Sequence, residues 1–271
     1  MPWLTAANRL PAEDAVPLQR GDADGADSNI VIVVPMLAHI SNFDDLDPLR
    51  AEPGVSVVFV PPGKTIPLSA DAIIIPGTKS TLADLAMLRA QGWDVDILAK
   101  ARAGARIFGL CGGYQMLGGR IDDPSGSDGS IAIANGLGLL NVETTMANNK
   151  NVTRRSGRSP AYDTDVNGYE IHMGVTSGAD CERPLAILDG QHDGAISGNG
   201  RIEGTYLHGV FGSDDFRRAW LTSIRQMQRA PIAFEATVDE ALDEIAGVLA
   251  ANLDIDALLS FAELPGWSPA I

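Results

Sequence analysis

Five consecutive β-branched residues, Ile30-Val31-Ile32-Val33-Val34, with no polar residue among them, constrain this chain most. An alternating strand needs one polar face. An unbroken run of this kind belongs to a strand covered on both faces, as in a parallel sheet flanked by helices. Similar runs recur at Val55–Val60, Ala72–Ile75 and Arg106–Leu110. Helical patterns lie between them. Ser80 or Thr81 can cap a helix carrying Leu82, Leu85, Met87 and Leu88, and residues 93–103 read as another. Strand and helix in alternation predict an α/β layered domain.

The pattern changes after Leu117. From Gly118 to Gly204 short strands alternate with Gly, Asn, Asp and Ser, which predicts antiparallel strands and loops, with Asp193-Gly194 as a hairpin turn. Helical periodicity returns over 213–228 and 236–262, where Ile245, Val248, Leu249 and Leu253 share a stripe. Residues 1–28 are rich in Ala, Asp and Pro, and Gly21 to Ser28 reads as a flexible acidic linker. The expected division is therefore a linker over 1–28, one domain over 29–262 that includes the C-terminal helices, and a tail over 263–271.

A net charge of −15 repels phosphate backbones and anionic headgroups, so neither nucleic acid nor a membrane surface is an expected partner. No apolar run reaches the roughly 18 residues that span a bilayer. The first twenty residues lack a basic segment followed by an apolar one, so no secretory signal is expected. Two cysteines, Cys111 and Cys181, make neither a disulfide framework nor a metal-ligand spacing. A reducing cytoplasm is the expected location, where a cysteine can remain a free nucleophile.

The segment Arg106-Ile107-Phe108-Gly109-Leu110-Cys111-Gly112-Gly113-Tyr114-Gln115 carries the strongest chemical signal. A buried strand runs into a cysteine followed by two glycines that open a helix. Such a turn pushes one side chain out at the sheet edge and needs small neighbours. The helix N-terminus favours a thiolate, and its free N–H groups can face an oxyanion. Of the four histidines, His208 in Gly204-Thr205-Tyr206-Leu207-His208-Gly209-Val210-Phe211 ends a short apolar strand, which makes it the candidate base. Ile75-Pro76-Gly77-Thr78-Lys79-Ser80 is another strand end, able to supply the second half of an oxyanion hole. It lacks the spacing of a phosphate-binding loop. In Gly168-Tyr169-Glu170-Ile171-His172-Met173-Gly174, Glu170 and His172 fall on one face of a strand. That face is either functional or simply exposed, and Glu-x-His alone is too little for a metal site. Arg154, Arg155 and Arg158 form a basic island, either an anion site or a solvated loop.

Together, Ile40-Ser41-Asn42-Phe43-Asp44-Asp45-Leu46-Asp47-Pro48-Leu49, Pro76 to Thr81, Gly109 to Gln115, Gly168 to Gly174 and Gly204 to Phe211 resemble the class I (triad-type) glutamine amidotransferase family, in its cobyric acid synthase branch. The resemblance runs from about Pro2 to about Leu259. It implies a flavodoxin-like layered domain with a mostly parallel central sheet, an antiparallel extension and C-terminal helices. It also implies Cys111 as nucleophile toward glutamine, His208 as its base, and the N–H groups of Gly77 and Gly112 as the oxyanion hole. Gln115 occupies the family's glutamine-contacting position, and Tyr114, Glu170 and His172 are further substrate-binding candidates. No cofactor or metal is expected in this chain. ATP and magnesium are expected on an ATP-binding synthetase partner domain or chain, with adenosylcobyrinic acid a,c-diamide as the corrinoid acceptor of the ammonia. The segment from Met1 to Asp14 looks like the tail of that synthetase half. Many class I members place a glutamate two residues after the histidine, where this chain has Val210, and Glu170 is the substitute candidate for orienting the imidazole. A diamide synthase, a muramyl-ligase glutaminase and a non-catalytic docking module are the alternatives.

Overall fold

The computed structural model describes residues 2–10, 30–147, 152–227 and 232–261, so the expected linker at Gly21–Ser28 and the tail over 263–271 lie outside the described residues. The chain divides into two compact units, Glu13–Ile232 and a second one that joins Met1–Ala12 to Ala233–Ile271.

In the first unit the four runs form strands β1 (Ile30–Pro35), β2 (Val55–Val60), β3 (Ala72–Ile75) and β4 (Arg106–Leu110). They lie parallel in the order β4-β3-β1-β2. Alternate residues of each strand enter two different cores, which is why the runs carry no polar face. Val33, Ile73, Ile75 and Ile107 pack on one side, and Ile32, Val34, Ile74 and Phe108 on the other. Helix α1 (Asp47–Ala51) precedes β2. Helices α2 (Thr81–Ala90), α3 (Trp93–Arg102) and α4 (Gly112–Leu117) cover the first side through Leu82, Leu85, Leu88, Trp93, Ile97 and Met116. The N-terminal N–H groups of α2 are not capped by Ser80 or Thr81. A distant carboxylate does this instead: Asp128 accepts from Thr81 N at 3.0 Å and from Leu82 N at 2.7 Å.

Beyond α4, β5 (Arg120–Asp122), β6 (Ile133–Asn135) and β7 (Glu143–Thr145) begin a second sheet, and β8 (Thr153–Ser159) and β9 (Thr164–Glu170) a third. Strand β10 (Val175–Ser177) returns to the second sheet, while β11 (Ala186–Leu188) and β12 (Gln191–Asp193) belong to the third. Within these two sheets the expected antiparallel pairing holds except for β5 with β7, which run parallel. The hairpin turn in this region is Asp189-Gly190, with φ of 48° and 81°, rather than Asp193-Gly194. Positive φ at both central residues matches the twist of a two-residue hairpin. Asp193 is instead buried at the end of β12.

Strands β13 (Ala195–Ile196) and β14 (Ile202–Thr205) complete the central sheet, with β14 parallel to β4. The expected single strand ending at His208 is broken. After Tyr206 the chain leaves this sheet, and β15 (Leu207–His208) pairs antiparallel with β9 in the third sheet. The buried Asp193 carboxylate fixes this transfer, accepting from Thr205 Oγ1 and, at 3.1 Å, from Tyr206 N. Burial raises its pKa to about 6, against the lowering effect of these bonds.

Helix α5 (Asp214–Ile224) covers the second side of the central sheet with Phe216, Trp220 and Leu221. Its Arg217 is fully buried. The guanidinium donates to Glu52 Oε1 (2.8 Å), Phe211 O (2.7 Å), Asp214 Oδ1 (2.8 Å) and Ile232 O (2.8 Å), tying α5 to the segment before β2. In the second unit, a turn over Thr5–Arg9 packs on α6 (Phe234–Asn252), where Arg9 pairs with Glu244, and α7 (Ile255–Phe261) follows. On the expected stripe Ile245, Val248 and Leu249 are half-buried and Leu253 is exposed. No helix among the described residues is long and apolar enough to cross a membrane.

Removing one partner of a buried ion pair strands the other charge, at a cost of about 3–5 kcal/mol. Arg217→Met is therefore expected to lower the unfolding free energy by about that amount in urea titration, and an unchanged midpoint would contradict this role.

Candidate active site

Cys111 sits between β4 and α4 with φ 49° and ψ −107°, outside the conformations ordinary residues favour. Such a residue costs on the order of 1–3 kcal/mol and persists only where its surroundings dictate it. Here Cys111 N donates to Thr205 O at 2.8 Å, and Cys111 O accepts from Gln115 N at 3.1 Å. The glycines around it are required by close approach. A Cβ at Gly109 would stand 2.6 Å from Tyr114 N, one at Gly112 would stand 2.6 Å from Thr78 Cγ2, and one at Gly113 would collide with Ile75 O.

The sulfur faces a cavity of about 310 Å³ lined by Ser41, Lys79, Asp128, His172, Met173 and His208, among others. Its thiol donates to Ile171 O at 3.5 Å. His208 lies on the same cavity, and a Cβ at Gly77 would come within 3.1 Å of its Cε1. The Gly77 turn is held by Ser41 N donating to Gly77 O at 2.9 Å, and Gly112 faces Thr78 next to it. The two glycine segments expected to bind an oxyanion are thus neighbours beside Cys111 and His208.

The group that orients His208 is Asp45, not Glu170. Asp45 Oδ2 accepts from His208 Nδ1 at 2.7 Å, while its Oδ1 accepts from Gly209 N at 2.6 Å. Both side chains are almost fully buried. With Nδ1 committed to the carboxylate, Nε2 is the nitrogen left for the thiol. The Tyr169 ring stacks on the imidazole at 5.3 Å and accepts from Asn42 Nδ2 through its hydroxyl oxygen. Burial opposes a charged imidazole here, but the hydrogen bonds and charges of Asp45 and Cys111 outweigh it, raising His208 to about 10. Glu170 is otherwise engaged, accepting from Arg155 Nε at 2.8 Å. Arg155 also pairs with Asp189, and Arg158 with Asp163 and Asp165, so these two arginines of the basic island are neutralised locally.

Other expected positions are placed differently. Tyr114 points into the core away from the cavity. Its ring rests on Gly204 and meets Tyr206 edge-on at 5.1 Å, and it is not among the residues that line the cavity. Gln115 lines the cavity, but its amide is already paired. Nε2 donates to Met173 O (2.9 Å) and Tyr206 Oη (3.2 Å), and Oε1 accepts from Thr81 Oγ1 (3.0 Å). It therefore holds the 171–174 wall in place. His172 stacks on Tyr206 at 3.8 Å with Nδ1 near Gly174 O at 3.1 Å, and burial, aided by the charge of His208, lowers its pKa.

The turn from Gly77 to Ser80 does not fit a nucleotide phosphate, because the amides that would receive one at the start of α2 already donate to Asp128. Among the described residues no group of three or more His, Cys, Asp or Glu is arranged to hold a metal ion.

A strained cysteine beside an imidazole oriented by a carboxylate, with two glycine turns facing it, can perform acyl transfer. The CobB/CobQ-like glutamine amidotransferase domain model matches residues 31–216. The chain belongs to that family. Curated relatives named cobyric acid synthase are similar along its whole length. The protein from Hyphomonas neptunium is 53% identical over 100% of this chain and 54% of its own, and that from Paracoccus denitrificans is 53% identical over 97% and 53%. The chain thus spans about half the length of the curated relatives it matches. Among solved structures, PurLQS from Thermotoga maritima shares the fold at a TM-score of 0.55 and 15% identity, covering 72% of this chain and 99% of that one. A glutamine amidotransferase structure does so at 0.51 and 15%, covering 72% and 98%.

Asp45→Asn removes the charge that holds His208 protonated, so NMR titration of the imidazole is expected to show its pKa falling from about 10 toward the ordinary value. An unmoved titration would remove Asp45 from the relay. The sign also fixes a stability trend. Because the folded pKa is raised, the His208 contribution is complete below about 6.5 and fades as pH rises through about 10. The stability gap between the parent protein and His208→Gln is expected to narrow across that window, and a widening gap would contradict the assignment.

Proposed function

We propose that this amidotransferase domain hydrolyses glutamine through a thioester on Cys111 and supplies the ammonia with which a cobyric acid synthase amidates corrinoid carboxylates. The observation that carries the reading is Cys111 and His208 on one cavity, with Asp45 bonded to the imidazole behind it. The Cys111 sulfur attacks the side-chain carbonyl carbon of glutamine, its proton having passed to His208. The oxyanion faces the N–H groups of Gly77 and Gly112. As the C–N bond breaks, His208 returns the proton to the departing ammonia. Water, deprotonated by the same imidazole, then cleaves the thioester, releasing glutamate and restoring the thiol. Throughout, Asp45 keeps the imidazole in the productive tautomer.

The relatives named cobyric acid synthase support the acceptor, adenosylcobyrinic acid a,c-diamide. ATP and magnesium, which such an amidation consumes, belong in this reading to a synthetase partner corresponding to the rest of those relatives' length. A reducing cytoplasm suits a free catalytic thiol.

Glutamate release from glutamine by the purified chain, alone and with the synthetase half of a relative added, tests the reading. Release is expected in at least one condition, falling by about 10³-fold or more in Cys111→Ala. No release in either condition, or release that survives the substitution, would overturn it.

A further inference from the structure

Free glutamine is a zwitterion, so a site that holds its amide at a thiol must also meet an α-ammonium and an α-carboxylate. Most polar groups on the cavity wall are already spoken for. Thr78 Oγ1 donates to Asp84 at 2.5 Å, Thr81 Oγ1 donates to Gln115, both ends of the Gln115 amide are paired, and Asn42 is bound to Tyr169. Apart from the two histidines, the cavity lining contains one cation, Lys79, and one carboxylate, Asp128.

These two residues stand at the same helix N-terminus. Lys79 lies two residues before α2, its backbone N–H donating to His39 O at 3.0 Å, and its ammonium has no carboxylate partner among the described residues. Asp128 is fixed from three directions. Its carboxylate receives the first two N–H groups of α2, its own N–H donates to Asp123 Oδ2 at 2.7 Å, and its carbonyl accepts from Ser80 Oγ at 3.2 Å. Each carboxylate oxygen accepts one of those helix bonds and keeps a lone pair for another donor. Ser80 therefore links the cation and the anion across a single residue.

Resting on the glutaminase reading above, we propose that Lys79 binds the α-carboxylate of glutamine and Asp128 its α-ammonium, so that this pair selects a free amino acid over other primary amides. Neither is a catalytic residue in the bond-breaking sense. They set which end of the substrate lies away from Cys111, and therefore that the amide lies against it.

Calorimetric binding to the Cys111→Ala protein, which cannot turn over, tests this with three ligands. They are L-glutamine, glutaramate, which lacks the α-amine, and 4-aminobutanamide, which lacks the α-carboxylate. A lost hydrogen bond to a charged group is worth about tenfold or more in affinity. Adding Lys79→Gln is expected to weaken glutamine and glutaramate by that factor and leave 4-aminobutanamide unchanged. Adding Asp128→Asn, which retains an acceptor for one of the two helix N–H groups, is expected to weaken glutamine and 4-aminobutanamide and leave glutaramate unchanged. Thermal melts establish that both variants are folded. The assignment is overturned if all three ligands weaken equally, if none weakens, or if L-glutamine does not bind. Binding with this pattern in a parent protein that releases no glutamate would sink the hydrolysis instead and leave the recognition pair standing.

Discussion

A side chain can leave the edge of a parallel sheet and face a cavity only if its backbone turns within one residue, and Cys111 makes that turn at φ 49° and ψ −107°. The rest of the site follows from holding it there. Gly112 and Gly113 must be bare because Thr78 and Ile75 press on them, and the sheet must continue through β14 because Thr205 O receives the Cys111 amide. The strand that anchors the nucleophile, β14, runs directly into the one that carries the base, β15. Asp193 bends it at Thr205 and Tyr206, and two residues later His208 reaches the cavity. One buried carboxylate thus couples the position of the thiol to that of the imidazole.

A second carboxylate couples them to the opposite part of the sheet. Asp45 comes from the connection between β1 and β2, yet closes on His208 and the Gly209 amide together. A glutamate placed just after the histidine would reach the imidazole locally. With Val210 in that place and buried in the core, the chain uses a distant acid instead. The same economy recurs at α2, where Asp128, 46 residues further along the chain, caps the helix and Ser80 beside it does not.

The central strands were legible because burial on both faces leaves an unbroken apolar run, and the elbow was legible because its glycines are consecutive with the cysteine. What was not legible depends on contacts between distant segments. Asp45 and His208 are 163 residues apart, and nothing local distinguishes Asp45 from Asp44 beside it. Glu170 shares a strand face with His172, which made it a natural candidate, but Arg155 on the neighbouring strand claims its carboxylate. Asp193-Gly194 and Asp189-Gly190 are the same dipeptide, and only the pairing of β11 with β12 decides which one turns. Tyr114 follows the glycines of the elbow, but the bare Cα of Gly204 opens a slot that draws its ring into the core.

The central claim is that the strained Cys111 carries the acyl group. Acid quenching of the protein during turnover with glutamine, followed by peptide mass mapping, addresses it directly. The account predicts a glutamyl adduct on the peptide containing Cys111 and none on the peptide containing Cys181, whose thiol packs beside the Tyr114 hydroxyl against the core and does not line the cavity. Glutamate release with no adduct on Cys111, or with the adduct on another residue, would contradict it.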